Sequence, residues 1–145
     1  MAINRAGRWW TGTAPLDLDE YLVAFSADGH PVTQVRHAAC SCGAEEFTVR
    51  VDDDEGCAER TCVACGRSTL LLDSGETKDD AELEGAACPC GNETFNVAVG
   101  FAGYEGSNDV RWVYLGLRCT DDGVLGVYTD WKIDYTPSSH LYERV

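Results

Sequence analysis

The stretch Cys40-Ser41-Cys42-Gly43-Ala44-Glu45-Glu46-Phe47-Thr48-Val49-Arg50-Val51 decides how this chain is read, because it occurs twice. Its second copy is Cys88-Pro89-Cys90-Gly91-Asn92-Glu93-Thr94-Phe95-Asn96-Val97-Ala98-Val99, at an offset of 48 residues. The shared pattern is C-x-C-G-x-E-x-F-x-V-x-V. Two cysteine pairs could coincide by chance, but the Gly, Glu, Phe and Val positions in register with them mark an internal repeat. Each copy is followed by a second cysteine turn: Cys62-Val63-Ala64-Cys65-Gly66 in the first, Cys119-Thr120-Asp121-Asp122-Gly123 in the second. Cys62 aligns with Cys119, Gly66 with Gly123 and Asp73 with Asp130, and Asp122 stands where Cys65 is expected. The arm between the turns is nine residues longer in the second copy.

Two thiolates one or two residues apart can grip one ion from a tight turn. A glycine just after the second lets the backbone turn left-handed and aim amide N–H groups at sulfur. Two such turns, brought together by a hairpin, supply the four tetrahedral ligands that zinc prefers. Cys40, Cys42, Cys62 and Cys65 meet this description and form the first candidate metal site. Four thiolates also suit iron. The second candidate site has Cys88, Cys90 and Cys119, and three readings compete for its fourth corner. Asp122 completes it as a carboxylate, Cys57 reaches across from the other half, or the site is degenerate, without metal or closed by water or His. For Cys57, the only cysteine outside the repeat, the plainer reading is a small buried apolar side chain.

These knuckles resemble the zinc-ribbon superfamily, over about Cys40 to Asp73 and again Cys88 to Asp130, with Cys62-Val63-Ala64-Cys65-Gly66 the closest match. The C-x-C first knuckle and the missing fourth cysteine depart from that pattern. The resemblance implies a metal-stabilised scaffold and is nearly silent on activity, since the superfamily spans transcription and ribosomal components, enzyme appendages and protein-interaction modules.

Periodicity outward from the knuckles reads as strands. Phe47 to Val51 alternates, and Phe95, Val97, Val99 and Phe101 fall on one face. Arg67 to Leu72 is a short apolar run, and Val110 to Arg118 and Val124 to Tyr135 are longer runs rich in Val, Tyr, Trp and Leu. Upstream, Leu18, Tyr21, Leu22 and Phe25 recur at helical spacing, with Asp17, Asp19 and Glu20 in the first turn and Asp28-Gly29 as a stop. Val32 to Arg36 reads as a strand entering the first knuckle. The acid-rich run Asp73 to Glu84 reads as a solvated connector with a short helix around Asp79 to Leu83, and the polar tail from Thr136 gives little signal. The expected fold is mainly β: two tandem zinc-ribbon-like three-stranded antiparallel units with an N-terminal helix. Its segments are an N-terminal helical part (1–37), a first ribbon (38–75), an acidic connector (76–87) and a longer second unit (88–145). All are expected to pack together.

Twenty-five acidic residues against 11 basic ones give a net charge of −14. Such a surface repels phosphate backbones and anionic membranes and suits a basic protein partner. No apolar run is long enough to span a bilayer, and no secretory h-region opens the chain, so a cytoplasmic location is expected. In a reducing compartment eight cysteines point to metal rather than disulfides. No catalytic triad, phosphate loop or metalloprotease helix is present. The leading expectation is a non-enzymatic zinc-binding protein-interaction module. The alternatives are an enzyme or enzyme subunit using the Cys88/Cys90/Cys119/Asp122 centre, and a nucleic-acid-binding ribbon using Arg5, Arg8, Arg36, Arg50, Arg60 and Arg67. His37, three residues before Cys40, reads as a strand-end surface side chain or an alternative ligand.

Overall fold

The alternating arms of the repeat form strands, and a computed structural model, which describes residues 3–145, joins them in one eight-stranded antiparallel sheet. Helix α1 (Asp17–Ser26) is followed by β1 (Gln34–His37), β2 (Phe47–Asp52), β3 (Cys57–Cys62) and β4 (Ser68–Leu70). Then come β5 (Glu84–Gly85), β6 (Phe95–Gly103), β7 (Val110–Cys119) and β8 (Leu125–Lys132). The main strand order is β4-β3-β2-β6-β7-β8, so each copy of the repeat contributes three consecutively paired strands. The halves meet where the two equivalent phenylalanines, Phe47 and Phe95, pair across β2 and β6. The rest of β2's edge takes β5, and the rest of β6's edge takes β1. Thus β1, expected to lead into the first knuckle, is hydrogen-bonded to the second half.

Phe95, Val97, Val99 and Phe101 share one face of β6, as their alternation predicts, and all are buried. They pack in the main core with Phe47 and Val49 of β2, Val113, Leu115 and Leu117 of β7, and Leu71, Ile133 and Leu141. The sheet folds over this core. Thr129 of β8 donates from Oγ1 to Asp53 Oδ1 beyond the end of β2 at 2.6 Å. Nearby, Trp131 packs so closely on Gly56 that a Cβ there would lie 3.0 Å from the indole.

The opposite face of β6 and β7 carries Ala98, Gly100 and Gly116, and α1 lies over it. Leu22 fills the hollow: a Cβ on Gly116 would come within 3.0 Å of its side chain, and one on Gly100 within 2.8 Å of Val32. Leu18 and Leu22 are fully buried, but Phe25, expected on the same face, is half exposed. Ser26 takes the inner position instead, donating to the Val23 carbonyl and accepting the Val32 N–H at 2.9 Å.

One further expectation is corrected. No helix forms around Asp79 to Leu83; the connector makes a 3₁₀ turn at Ser74–Glu76, further turns, and then β5. Asp52 ties it to the β2–β3 turn, accepting backbone N–H groups from Glu82 of the connector at 2.8 Å and from Asp54 and Glu55 of the turn at 3.0 and 3.2 Å. The tail, which gives little signal in the sequence, packs in part against the core. Leu141 and Ser138 are fully buried, and the Arg144 carbonyl accepts the N–H of Leu72, a residue in left-handed backbone conformation (φ 58°). No helix among the described residues is long and apolar enough to cross a membrane.

Candidate metal centres

Antiparallel pairing builds both centres in the same way. In the first half Phe47 pairs with Cys62, and in the second Phe95 pairs with Cys119. Each pairing sets a C-x-C turn at the entrance of one strand beside a turn at the exit of its neighbour. The turns are closed by matched hydrogen bonds. Cys40 N–H donates to Ala44 O at 2.9 Å and Gly43 N–H to Cys40 O at 2.8 Å; Cys88 N–H to Asn92 O and Gly91 N–H to Cys88 O are both 2.8 Å. At the exit turns, Gly66 N–H reaches Cys62 O at 2.9 Å and Gly123 N–H reaches Cys119 O at 3.0 Å. The four glycines of these turns have φ of 94°, 96°, 77° and 76° (Gly43, Gly91, Gly66 and Gly123), a region in which a Cβ is strained.

The geometry brings together Cys40, Cys42, Cys62 and Cys65 in one group and Cys88, Cys90, Cys119 and Asp122 in another, each with ligand atoms within 4.8 Å of one another. Both groups could hold a metal ion. In the first, Cys40 and Cys65 sulfurs are 3.5 Å apart and Cys42 and Cys62 sulfurs 3.6 Å. In the second, Cys90 and Cys119 sulfurs are 3.7 Å apart, and both Asp122 carboxylate oxygens lie 3.6 Å from Cys88 Sγ. A tetrahedral zinc with Zn–S bonds of about 2.3 Å separates its sulfurs by about 3.8 Å. The closest donor pairs of each set therefore already stand near the spacing of one such ion. In each group two ligands are buried and two face solvent.

The electrostatics of the first group follow from shared protons and turn amides. The Cys42 backbone N–H draws the Cys40 thiol down to about 6. At Cys42 the Ala44 N–H lowers the value, but the neighbouring sulfurs Cys40 and Cys62 outweigh it and push the thiol up to about 11. Four thiols so close cannot all ionise without a cation among them. In the second group burial pushes the Cys88 thiol up to about 12. Asp122 is held below the usual carboxylate range: its slight burial opposes ionisation, but the Val124 N–H and the three thiols favour it.

The structure also places the competing candidates. Cys57 is fully buried, with Sγ directed at the Ser74 carbonyl at 3.6 Å, and belongs to neither group. His37 lies outside both groups and pairs with Asp19. Two neighbours were missed in the sequence. Asn92 donates from Nδ2 to Cys119 Sγ at 3.2 Å and to Thr120 Oγ1 at 3.1 Å; the first repeat has Ala44 at that position, and the difference between the copies was the available signal. Arg60 is buried over the Phe47 ring; burial lowers its pKa, against the smaller pull of the charges on Cys40 and Cys62. The aligned Asp73 and Asp130 each accept an indole N–H, from Trp131 at 3.1 Å and Trp112 at 2.9 Å. No protein-family model matches the chain, and comparison with curated proteins and with solved structures finds no match.

Proposed function

We propose that this chain is a non-enzymatic zinc-binding module, built from two tandem zinc-ribbon-like units, that docks onto a basic protein partner. The observation that carries the metal assignment is the pair of four-ligand groups whose ligand atoms all lie within 4.8 Å of one another. Their mostly thiolate donors select zinc over harder ions such as magnesium. The role for that zinc is structural. Three strands per half bury little apolar surface by themselves, and small metal sites contribute on the order of 10–16 kcal/mol to holding such units. Free thiols at these positions suit a reducing compartment.

The partner class follows from charge. A net −14 is concentrated in part around an open groove of about 650 Å³ lined by Asp52, Asp53, Asp54, Glu55, Asp80, Glu82 and Glu84, with Tyr128 beside them. Three of the six arginines that would serve nucleic acid are otherwise engaged: Arg50 pairs with Glu59, Arg60 is buried, and Arg67 donates to Ser41. Native mass spectrometry of purified chain tests the metal, with two zinc ions per chain expected. Chain with no bound transition metal would sink the proposal. Affinity capture should yield basic proteins that elute between about 0.1 and 0.5 M salt, as charge-driven contacts do.

A further inference from the structure

The two centres are alike in geometry and unlike in what lies against them. The exit turn of the first centre is bare: nothing stands within 4 Å of a Cβ built on Gly66. Against the matching turn of the second centre lies an N-terminal strap, Asn4 to Gly12. A Cβ on Gly123 would fall 2.3 Å from the Gly12 carbonyl oxygen. Gly12 N–H donates to Gly123 O at 2.8 Å, Thr11 bridges Val124, and Leu125 N–H donates to Trp10 O at 2.8 Å. Arg118, next to the ligand Cys119, donates to Gly12 O at 2.9 Å. The strap closes on itself through Asn4 and Thr11, and Arg5 lies over the Trp10 ring at 4.2 Å.

The second centre is also the weaker one by composition. Its fourth donor is an exposed carboxylate, which zinc holds less firmly than a thiolate, and Asp122 Oδ1 already accepts the Val124 N–H at 3.1 Å. From this juxtaposition we infer that the second centre is an exchangeable metal site whose occupancy locks the strap: zinc bound by Cys88, Cys90, Cys119 and Asp122 fixes the Cys119–Val124 turn, and that turn fixes Asn4 to Gly12. The module is thus responsive to zinc, with the first centre keeping the fold and the second setting the state of its N-terminal surface. The inference rests on the reading of both groups as zinc sites. Coupling between two sites is reciprocal, so the strap must also hold the zinc.

The test starts from full chain loaded with two zinc ions, titrated with a chelator of graded strength and followed by hydrogen exchange. Zinc should leave the second centre first. The amides of Thr11 and Gly12 should then exchange at least about tenfold faster, while those of Cys62 and Gly66 keep their protection. Cys90→Ser, with zinc still in the first centre, should reproduce the effect. Gly12→Pro, which removes the N–H given to Gly123, crowds Asp17 and touches no ligand, should raise the zinc dissociation constant of the second centre by a factor matching the strap's loss of protection. Strap protection that survives emptying of the second centre would overturn the inference, as would loss of zinc from the first centre first. A chain that binds one zinc only, through Cys40, Cys42, Cys62 and Cys65, with the strap protected would also overturn it and would leave the structural zinc reading standing.

Discussion

Asp122 shows how one side chain sets the character of a site. Its carboxylate occupies the corner that Cys65 fills in the first half, so the two centres differ mainly by one donor atom. Asp122→Cys should therefore bring the second centre close to the first, tightening zinc by about tenfold or more in competition with a chromophoric chelator. The reverse exchange, Cys65→Asp, should weaken the first centre to a similar degree. At Asp52 a single carboxylate holds a loop. The Glu82 and Glu55 amides keep its pKa below the usual carboxylate value. A folded-state pKa below the unfolded value of about 3.9 contributes stability that is present above that pH and lost as pH falls through the folded value. The advantage of wild type over Asp52→Ala in urea denaturation should accordingly hold at about pH 6 and shrink below about pH 4. An unchanged difference across that range would show that the amides give the carboxylate no preference for its charged form.

Helix α1 depends on what its neighbours lack. Leu22 reaches the sheet because Gly100 and Gly116 leave a hollow beneath it. Leu22→Ala empties that hollow and should destabilise the fold by about 2–5 kcal/mol in denaturant titration. Gly116→Val fills it from the other side and should release the helix, seen as fast amide exchange over Asp17–Ser26 with the β6–β7 pairing kept. A variant that retains helix protection would show that α1 is held elsewhere, through Leu18 or through Asp17, which accepts the Thr13 and Ala14 amides.

The whole molecule is joined by contacts that ignore the repeat. The Phe47–Phe95 pairing makes one sheet of two halves, β1 crosses to the second half, and the tail returns to the first, where Arg60 donates to the Val145 carbonyl at 3.1 Å. Residues of both halves share the main core. Removal of metal from the first group should therefore not melt the first half alone. Chain stripped by a strong chelator should unfold in one transition, lowered by at least about 10 °C relative to the zinc-loaded chain in calorimetry. Two resolved transitions, one zinc-sensitive and one not, would show that the halves fold independently.

The sequence by itself indicated the cysteine turns, their glycines and most of the strands, because these are local, while the fourth member of the second group stayed open among Asp122, Cys57 and none. A C-x-C-G turn needs only its own backbone conformation, and a strand of alternating residues carries its two faces in its spacing. Register did the rest: Phe47 beside Cys62 and Phe95 beside Cys119 follow once each hairpin closes. The continuity of the sheet, the strap on the second centre, the seat of α1 and the buried tail were decided only in three dimensions. They depend on which distant surfaces complement each other, such as Leu22 with two glycines far along the chain, or Gly123 with Gly12, and no local periodicity records that match.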